Sequence, residues 1–224
     1  MRKQILLPNK GIQLPPVAGR IGHELNRGRW YESEMLGYIR SLHLRGNYVD
    51  IGANIGNHSV FFATNTAADR VFSFEPIEQP RNTLNKFIEL NNLWTKITAI
   101  PYACSDHNGE VNVVESVERD PTGSFPCRKL DDVVDVPVSL IKIDIEGAEV
   151  FALRGATQIL SRDKPRMFIE VHDERHMKEV MGVIGPLGYK PTGRVWNASP
   201  TYEFAAKGNG LFGMLARAKR MLSR

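Results

Sequence analysis

The sequence predicts an α/β fold in which short apolar strands alternate with helices and a last pair of strands closes the sheet antiparallel. Three observations carry this. Asn47-Tyr-Val-Asp-Ile-Gly-Ala-Asn-Ile-Gly56 reads as a buried strand running into a glycine turn, with Asn57 to Ala63 as the helix behind it. Val71-Phe-Ser-Phe-Glu75-Pro76 and Leu140-Ile-Lys-Ile-Asp-Ile-Glu-Gly-Ala-Glu149 repeat the pattern, each an apolar strand with acids at its end followed by a helical run. A chain of 224 residues is also long enough for one such domain with a full core.

The first turn organises the rest. Gly52 and Gly56 let the backbone turn tightly and approach a ligand with no Cβ in the way, and Asn57 is placed to cap the helix. Asp50 stands at the strand's last turn, where it could accept a hydrogen bond from a cationic or hydroxylated ligand. The spacing Gly52-x-x-x-Gly56 is not the Gly-x-Gly-x-x-Gly fingerprint that seats a pyrophosphate on a helix N-terminus. An acid with a wider loop suits a ligand without phosphate. S-adenosylmethionine is such a ligand, offering an ammonium, a carboxylate, a sulfonium and a ribose. The alternative is a tight strand-to-helix turn that binds nothing.

Composition narrows the class. Hydrophobic content of 42% with 24% charged residues excludes a disordered chain and fits a soluble globular one. Cys104 and Cys127 form no Cys-x-x-Cys, which argues against a zinc knuckle or a disulfide framework and makes the cytoplasm the expected setting. Pro8 stops the opening apolar run too early for a signal peptide, and no apolar run nears the ~20 residues of a membrane span. The net charge of +4 belongs to the ends: residues 1–46 and 207–224 each carry +5, and 47–206 carries −6. With no basic stripe over the centre, no nucleic-acid partner is expected. The chain divides into an N-terminal helical cap (1–46), a donor-binding domain (47–207) and a basic amphipathic tail (208–224).

In order, Pro8, Pro15 and Pro16 keep the start extended, and Glu32 to Leu44 reads as a helix with Met35-Leu36, Ile39 and Leu42 on one face. Trp30-Tyr31-Glu32 precedes it. Glu75 ends the second strand 19 residues after Gly56, the position from which an acid meets two ribose hydroxyls, and Pro76 stops the strand. Glu78 to Leu93 is the next helix, and Ile97 to Cys104 the third strand. Ser105-Asp106 follows, where Asp106 can meet an adenine amine or simply open the turn Asp106-His-Asn-Gly109. Glu110 to Val114 is a short alternating strand, and 115–128, broken by Pro121, Gly123 and Pro126, is expected to be a loop.

In the fourth strand Ile141, Ile143 and Ile145 share one face, and Lys142, Asp144 and Glu146 the other. Three charges on one face are costly unless they pair or meet a ligand. Ala148 to Leu160 reads as one helix. Pro165 to His172 is the fifth strand, with Glu170 and His172 near its end, followed by a helix over Glu174 to Leu187. Gly188 to Trp196 and Thr201 to Ala206 are the antiparallel pair. Leu211 to Arg224 is a basic amphipathic helix, suited to peripheral contact with an anionic membrane face but too short to span it.

Val49-Asp-Ile-Gly-Ala-Asn-Ile-Gly56, Phe74-Glu-Pro76, Leu130-Asp131, Ile141-Lys-Ile-Asp-Ile-Glu-Gly-Ala-Glu149 and Phe168-Ile-Glu-Val-His172, in this order over about 30–206, resemble the FkbM-type methyltransferase family. The resemblance implies a class I methyltransferase fold: a Rossmann-like, seven-stranded, mostly parallel sheet with its last strand antiparallel and helices on both faces. It implies S-adenosylmethionine as donor and O-methylation of sugars, glycan precursors or polyketides. By position it implies a donor site of Asp50, Gly52, Ala53, Asn54, Gly56, Asn57, Glu75, Pro76, Ser105 and Asp106. Glu32 belongs to the segment that closes over the donor.

For the chemistry, Asp144, Glu146, Glu170 and His172 are the candidates at strand ends. An imidazole ordinarily titrates nearest neutrality, so His172 is the expected base. No metal is assigned; a magnesium ion between Asp144 and Glu146 is the weaker alternative. The acceptor is expected to be a small molecule or glycan, and the basic N-terminal arm suggests an acidic one. Two other functions compete: a donor-binding scaffold without turnover, and a nicotinamide oxidoreductase. The latter is disfavoured by the missing third glycine and by the lack of a Tyr-x-x-x-Lys pair after the fourth strand.

Overall fold

The computed structural model describes residues 6–7, 11–113 and 123–206. The tail helix read over 211–224 and the loop residues 115–122 lie outside them. Seven strands form the main sheet: β1 (Gly46–Ile51), β2 (Ala68–Phe74), β3 (Ile97–Ile100), β4 (Val138–Ile143), β5 (Arg166–Glu170), β6 (Tyr189–Trp196) and β7 (Thr201–Ala206). Their order is β6-β7-β5-β4-β1-β2-β3. Neighbours among the first five strands pair in parallel, and β7 runs antiparallel to both β5 and β6. The helices are α1 (Gly19–Asn26), α2 (Ser33–Ser41), α3 (Asn57–Asn65), α4 (Glu78–Leu90), α5 (Leu130–Val133), α6 (Glu149–Arg154), α7 (Thr157–Asp163) and α8 (Glu174–Ile184). This is the mostly parallel seven-stranded sheet that the resemblance implies.

Strand parity sorts the core into two layers. Val49, Ile51, Ile141, Ile143, Met167 and Ile169 face one way and pack with Leu153, Leu160, Val180 and Ile184 of the later helices. Tyr48, Val71, Leu140 and Phe168 face the other way and pack with Leu36, Ile39, Phe62 and Phe87. Covering both faces explains why the central strands read as near-continuous apolar runs. Met35, Leu36 and Ile39 of α2 are fully buried, so the N-terminal helix fills sheet surface as well as approaching the strand ends. Glu203 of β7, fully buried, ties this layer to the sheet edge by accepting from Tyr38, Thr192 and Arg166.

The chain departs from the sequence reading in four places. The start is not extended throughout, because α1 forms after Pro16 and buries Leu25. The third strand stops at Ile100, before Pro101. Ala103–Cys104 instead joins Gly109–Val113 and Gly123–Arg128 in a separate three-stranded sheet. The segment 123–128 is therefore a strand, not loop. Pro126 is tolerated in it because its register partner, Glu110, lies on one side only. Finally, the helix read over 148–160 is two. A Cβ at Gly155 would overlap the carbonyl oxygen of Ser105, so this residue admits the backbone of the small sheet. Asp131 then restarts the helix, its carboxylate accepting from the N–H groups of Gln158 and Ile159 at 2.9 Å each.

Candidate functional site

The parallel strands present their C-terminal ends on one edge, where open α/β sheets bind ligands. A polar file crosses the sheet just inside that edge. Asp50 of β1 stands in register with Ser73 of β2 and Lys142 of β4. Ser73 donates to Ser59 (2.8 Å), and Ser59 to Asp50 Oδ2 (2.5 Å). Lys142 Nζ lies 3.5 Å from Asp50 Oδ1 and 3.4 Å from Asp144 Oδ2, and donates to the carbonyl of Gly52. Burial alone would lower the Lys142 pKa, but Asp144 and Asp50 outweigh it and hold it above the ordinary lysine range. Asp50 is fully buried, so its side chain meets Ser59 and Lys142 and does not reach outward to a ligand as its strand-end position suggests.

The loop after β1 is set by its packing. Gly52 has φ +79, and a Cβ there would overlap the carbonyl oxygen of Asp144. Gly56 has φ +93, and a Cβ there would stand 2.5 Å from Leu84 Cδ1. Both glycines are thus required by the protein's own backbone and α4. Gly52 and Ala53 donate to the Phe74 carbonyl, which welds the loop to the end of β2. The exposed Asn54 adopts φ +49 and donates its N–H to Glu75 Oε2 at 2.9 Å. Glu75 Oε1 accepts from Ile77 N–H just beyond Pro76. Burial raises the Glu75 pKa, and the two backbone N–H groups moderate it. The Asn54 loop and the Glu75–Pro76 corner therefore form one rigid cradle, clamped from below by Arg81 donating to the carbonyls of Glu75 and Pro76.

The segment before α2 folds onto this cradle. Asn57 does not cap α3; its amide bonds Tyr31 in both directions, at 3.1 Å each way. His58 Nε2 lies 2.9 Å from Glu32 Oε2, and Trp30 meets Phe61 edge-on. Glu32, with φ +58, is turned inward by this clasp. On the other flank Ser105 is buried, and Asp106 pairs with His107 at 2.9 Å, which lowers the Asp106 pKa.

A second group gathers beyond β4 and β5. Strand β4 ends at Ile143, so Asp144 and Glu146 sit on the turn after it rather than along a strand face, and Glu146 has φ +54. Burial would raise Asp144, but Lys142 outweighs it and keeps this carboxyl below its ordinary range. Burial, and then the charge of Asp144, push Glu170 up to about 8. His172 Nε2 lies 3.6 Å from Glu170 Oε2, on a side chain 40% exposed. Glu146, Glu170 and His172 each present an atom within 4.8 Å of the others.

Two residues that the sequence reading passed over brace this group. Glu149 Oε1 accepts from the N–H groups of Ile145 and Gly147, holding the turn that carries Asp144 and Glu146. Its Oε2 lies 3.2 Å from His176 Nε2. His176 in turn accepts from the His172 N–H and stacks on the His172 ring at 5.7 Å. The available signals were a glutamate opening α6 ahead of the apolar run Val150 to Leu153, and a histidine four residues after His172. Ser73, the lone hydroxyl in the apolar run from Val71 to Phe74, was the matching signal for the polar file. Beside the group an open cleft of about 510 Å³ is lined by Asp173, Glu174, Met177, Lys178 and Tyr202.

Residues 50–191 match the model of the methyltransferase FkbM domain. Among solved structures, the chain is similar to the methyltransferase FkbM from Methylobacillus flagellatus KT, with TM-score 0.60 and 24% identity over 75% of this chain and 46% of that one. It is similar to the ribosomal protein L11 methylase of Lactobacillus delbrueckii subsp. bulgaricus, with TM-score 0.54 and 13% identity over 88% and 85% of the two chains. It is also similar to a Streptococcus mutans protein solved in complex with SAH, with TM-score 0.51 and 15% identity over 78% and 96%. These likenesses carry the class I methyltransferase fold and no more, and the chain spans about half the length of the Methylobacillus structure. No curated protein matches the sequence. No helix among the described residues is long and apolar enough to cross a membrane. The motifs, the sheet that they build and a family match running from the first strand end into β6 agree: the chain belongs to the FkbM methyltransferase domain family.

Proposed function

We propose that the protein transfers the methyl group of S-adenosylmethionine to a hydroxyl of a sugar, glycan precursor or related natural product. The observation that carries this reading is the adjacency of two built features. The Gly52–Gly56 cradle with Glu75 sits on the same sheet edge as Asp144, Glu170 and His172, and Lys142 bonds both, through the Gly52 carbonyl and the Asp144 carboxylate. In this reading Gly52, Ala53, Asn54 and Gly56 receive the methionyl end of the donor. Glu75 takes the ribose, Ser105 and Asp106 the adenine, and the Tyr31–Glu32 clasp closes over them.

The acceptor oxygen forms a bond to the methyl carbon as the carbon–sulfur bond breaks. The electron pair returns to sulfur, and the hydroxyl proton leaves by way of the Asp144–Glu146–Glu170–His172 group. Because the sulfonium is already a good leaving group, positioning supplies much of the acceleration, on the order of 7–11 kcal/mol in favourable cases. A carboxylate-rich acceptor end repels polyanions, which supports a neutral hydroxyl compound over RNA and over the acidic acceptor that the basic N-terminal arm suggests. A cytoplasmic setting with peripheral membrane contact through 211–224 completes the reading.

Calorimetric titration with S-adenosylhomocysteine tests the assignment. Glu75→Ala is expected to weaken binding roughly 10- to 150-fold, the worth of a charge-assisted hydrogen bond. His172→Ala is expected to leave binding intact and to lower turnover, roughly 100-fold or more. Turnover is read in a labelled-donor screen of glycan and lipid-linked precursors. Unchanged affinity in Glu75→Ala removes the ribose assignment. Tighter binding of NADH than of S-adenosylhomocysteine removes the methyltransfer reading.

A further inference from the structure

We propose that Glu170 stands as a neutral carboxylic acid in the resting protein and donates a hydrogen bond to the ionised Asp144, which makes it a positioning residue for the acceptor edge rather than a base. The sheet brings the two carboxyls together. Ile143 of β4 and Ile169 of β5 are register partners, so the next residues along this parallel pair, Asp144 and Glu170, leave the sheet side by side. Their side chains are hydrogen-bonded to each other. Two carboxylates are both acceptors and cannot make that bond, so one of them carries a proton.

Charge decides which one. The Lys142 ammonium has three protons and three oxygen neighbours: the Gly52 carbonyl, Asp50 and Asp144. It therefore holds Asp144 in the charged form and has nothing left for Glu170. The side chain of Glu170 is 6% exposed, and the one basic group within 4.0 Å of it among the described residues is the His172 imidazole, at 3.6 Å. Glu146 adds a second negative charge from the turn after β4, and Ser199 donates from the turn before β7. From the N-terminal side, Glu32 acts on Lys142 and His58 on Asp144. The buried Oε2 of Glu170 meets no donor, which is costly for a carboxylate oxygen and far less so in a neutral acid. Asp144 is thus a weak base and Glu170 is already protonated, so the hydroxyl proton falls to His172. The Glu170 O–H and the Lys142 ammonium together fix the Asp144 carboxylate.

The positioning role rests on the proposed methyl transfer; the protonation is tested without donor or acceptor. Infrared difference spectra of the full-length protein are recorded, parent minus Glu170→Gln. The carbonyl stretch of a protonated carboxylic acid is expected at neutral pH, giving way to a carboxylate band as the pH rises through about 8. Carboxylate alone at neutral pH overturns the inference. Asp144→Asn is a second, independent variant: without the neighbouring charge the protonated band should be lost at lower pH, and an unmoved titration overturns the pairing. In the labelled-donor assay Glu170→Ala should lower turnover at least about tenfold, and Glu170→Gln, which keeps a donor for Asp144, should recover most of that loss. The parent should lose turnover as the pH rises through about 8, and Glu170→Gln should not. Equal loss in the Ala and Gln variants overturns the positioning role. A protonated band in a protein that methylates no acceptor keeps the protonation and removes the methyl-transfer reading instead.

Discussion

Lys142→Met is expected to lower the unfolding free energy by about 3–5 kcal/mol, the usual consequence of removing one member of a buried ion group and leaving its partners uncompensated. Asp50 has no exposure at all, and Asp144 depends on the same ammonium. Methionine fills the volume of the lysine stem, so the loss is electrostatic rather than a cavity. Urea denaturation gives the midpoint shift. The control is Asp50→Asn combined with Lys142→Met, which removes both charges and should recover part of the loss. A Lys142→Met protein as stable as the parent means that the polar file does not hold the sheet edge in the way its distances indicate.

Gly52→Ala carries the second large effect. The substitution puts a Cβ onto the Asp144 carbonyl oxygen at a residue with φ +79. Strain and overpacking together should cost about 2–5 kcal/mol. The obstructing atom is backbone, so no rotamer change relieves it, and the exits of β1 and β4 must part. Donor affinity should fall with stability, because the same loop is pinned to Phe74 and Glu75. Thermal unfolding with and without S-adenosylhomocysteine reads both. A ligand-induced shift equal to that of the parent protein means that this loop does not carry the donor.

These two residues also show what the sequence disclosed. Residue parity in Leu140 to Ile143 put Ile141 and Ile143 toward the core and Lys142 on the opposite face, as the sheet has them. The face expected to join Lys142 with Asp144 and Glu146 is not formed, because β4 ends at Ile143 and the charge in register with Lys142 is Asp50. Parity cannot tell whether a helix covers that face. Ser59 of α3 lies over Asp50, which turned an expected ligand contact into an interior one. The glycines were legible as turns. Their partners, Asp144 and Leu84, lie 92 and 28 residues along the chain, and only the sheet order brings them close.

The break at Gly155 was hidden for the same reason, since it depends on where Ser105 comes to rest. The Glu149–His176–His172 brace needs the relative placement of α6 and α8, which no local pattern encodes. Strand ends bearing acids, by contrast, are local features. Asp144, Glu170 and His172 could therefore be placed at strand ends from sequence, while the side chains that orient them could not.

The central claim is that the turn after β1 and the corner after β2 together hold an adenosyl donor, with its methyl group directed at the Asp144–Glu170–His172 edge. A crystal structure with S-adenosylhomocysteine tests it most directly. The account predicts the methionyl end along Gly52–Gly56, the ribose hydroxyls on Glu75 and the sulfur facing Asp144. A ligand lodged elsewhere, or a ribose turned away from Glu75, would contradict it.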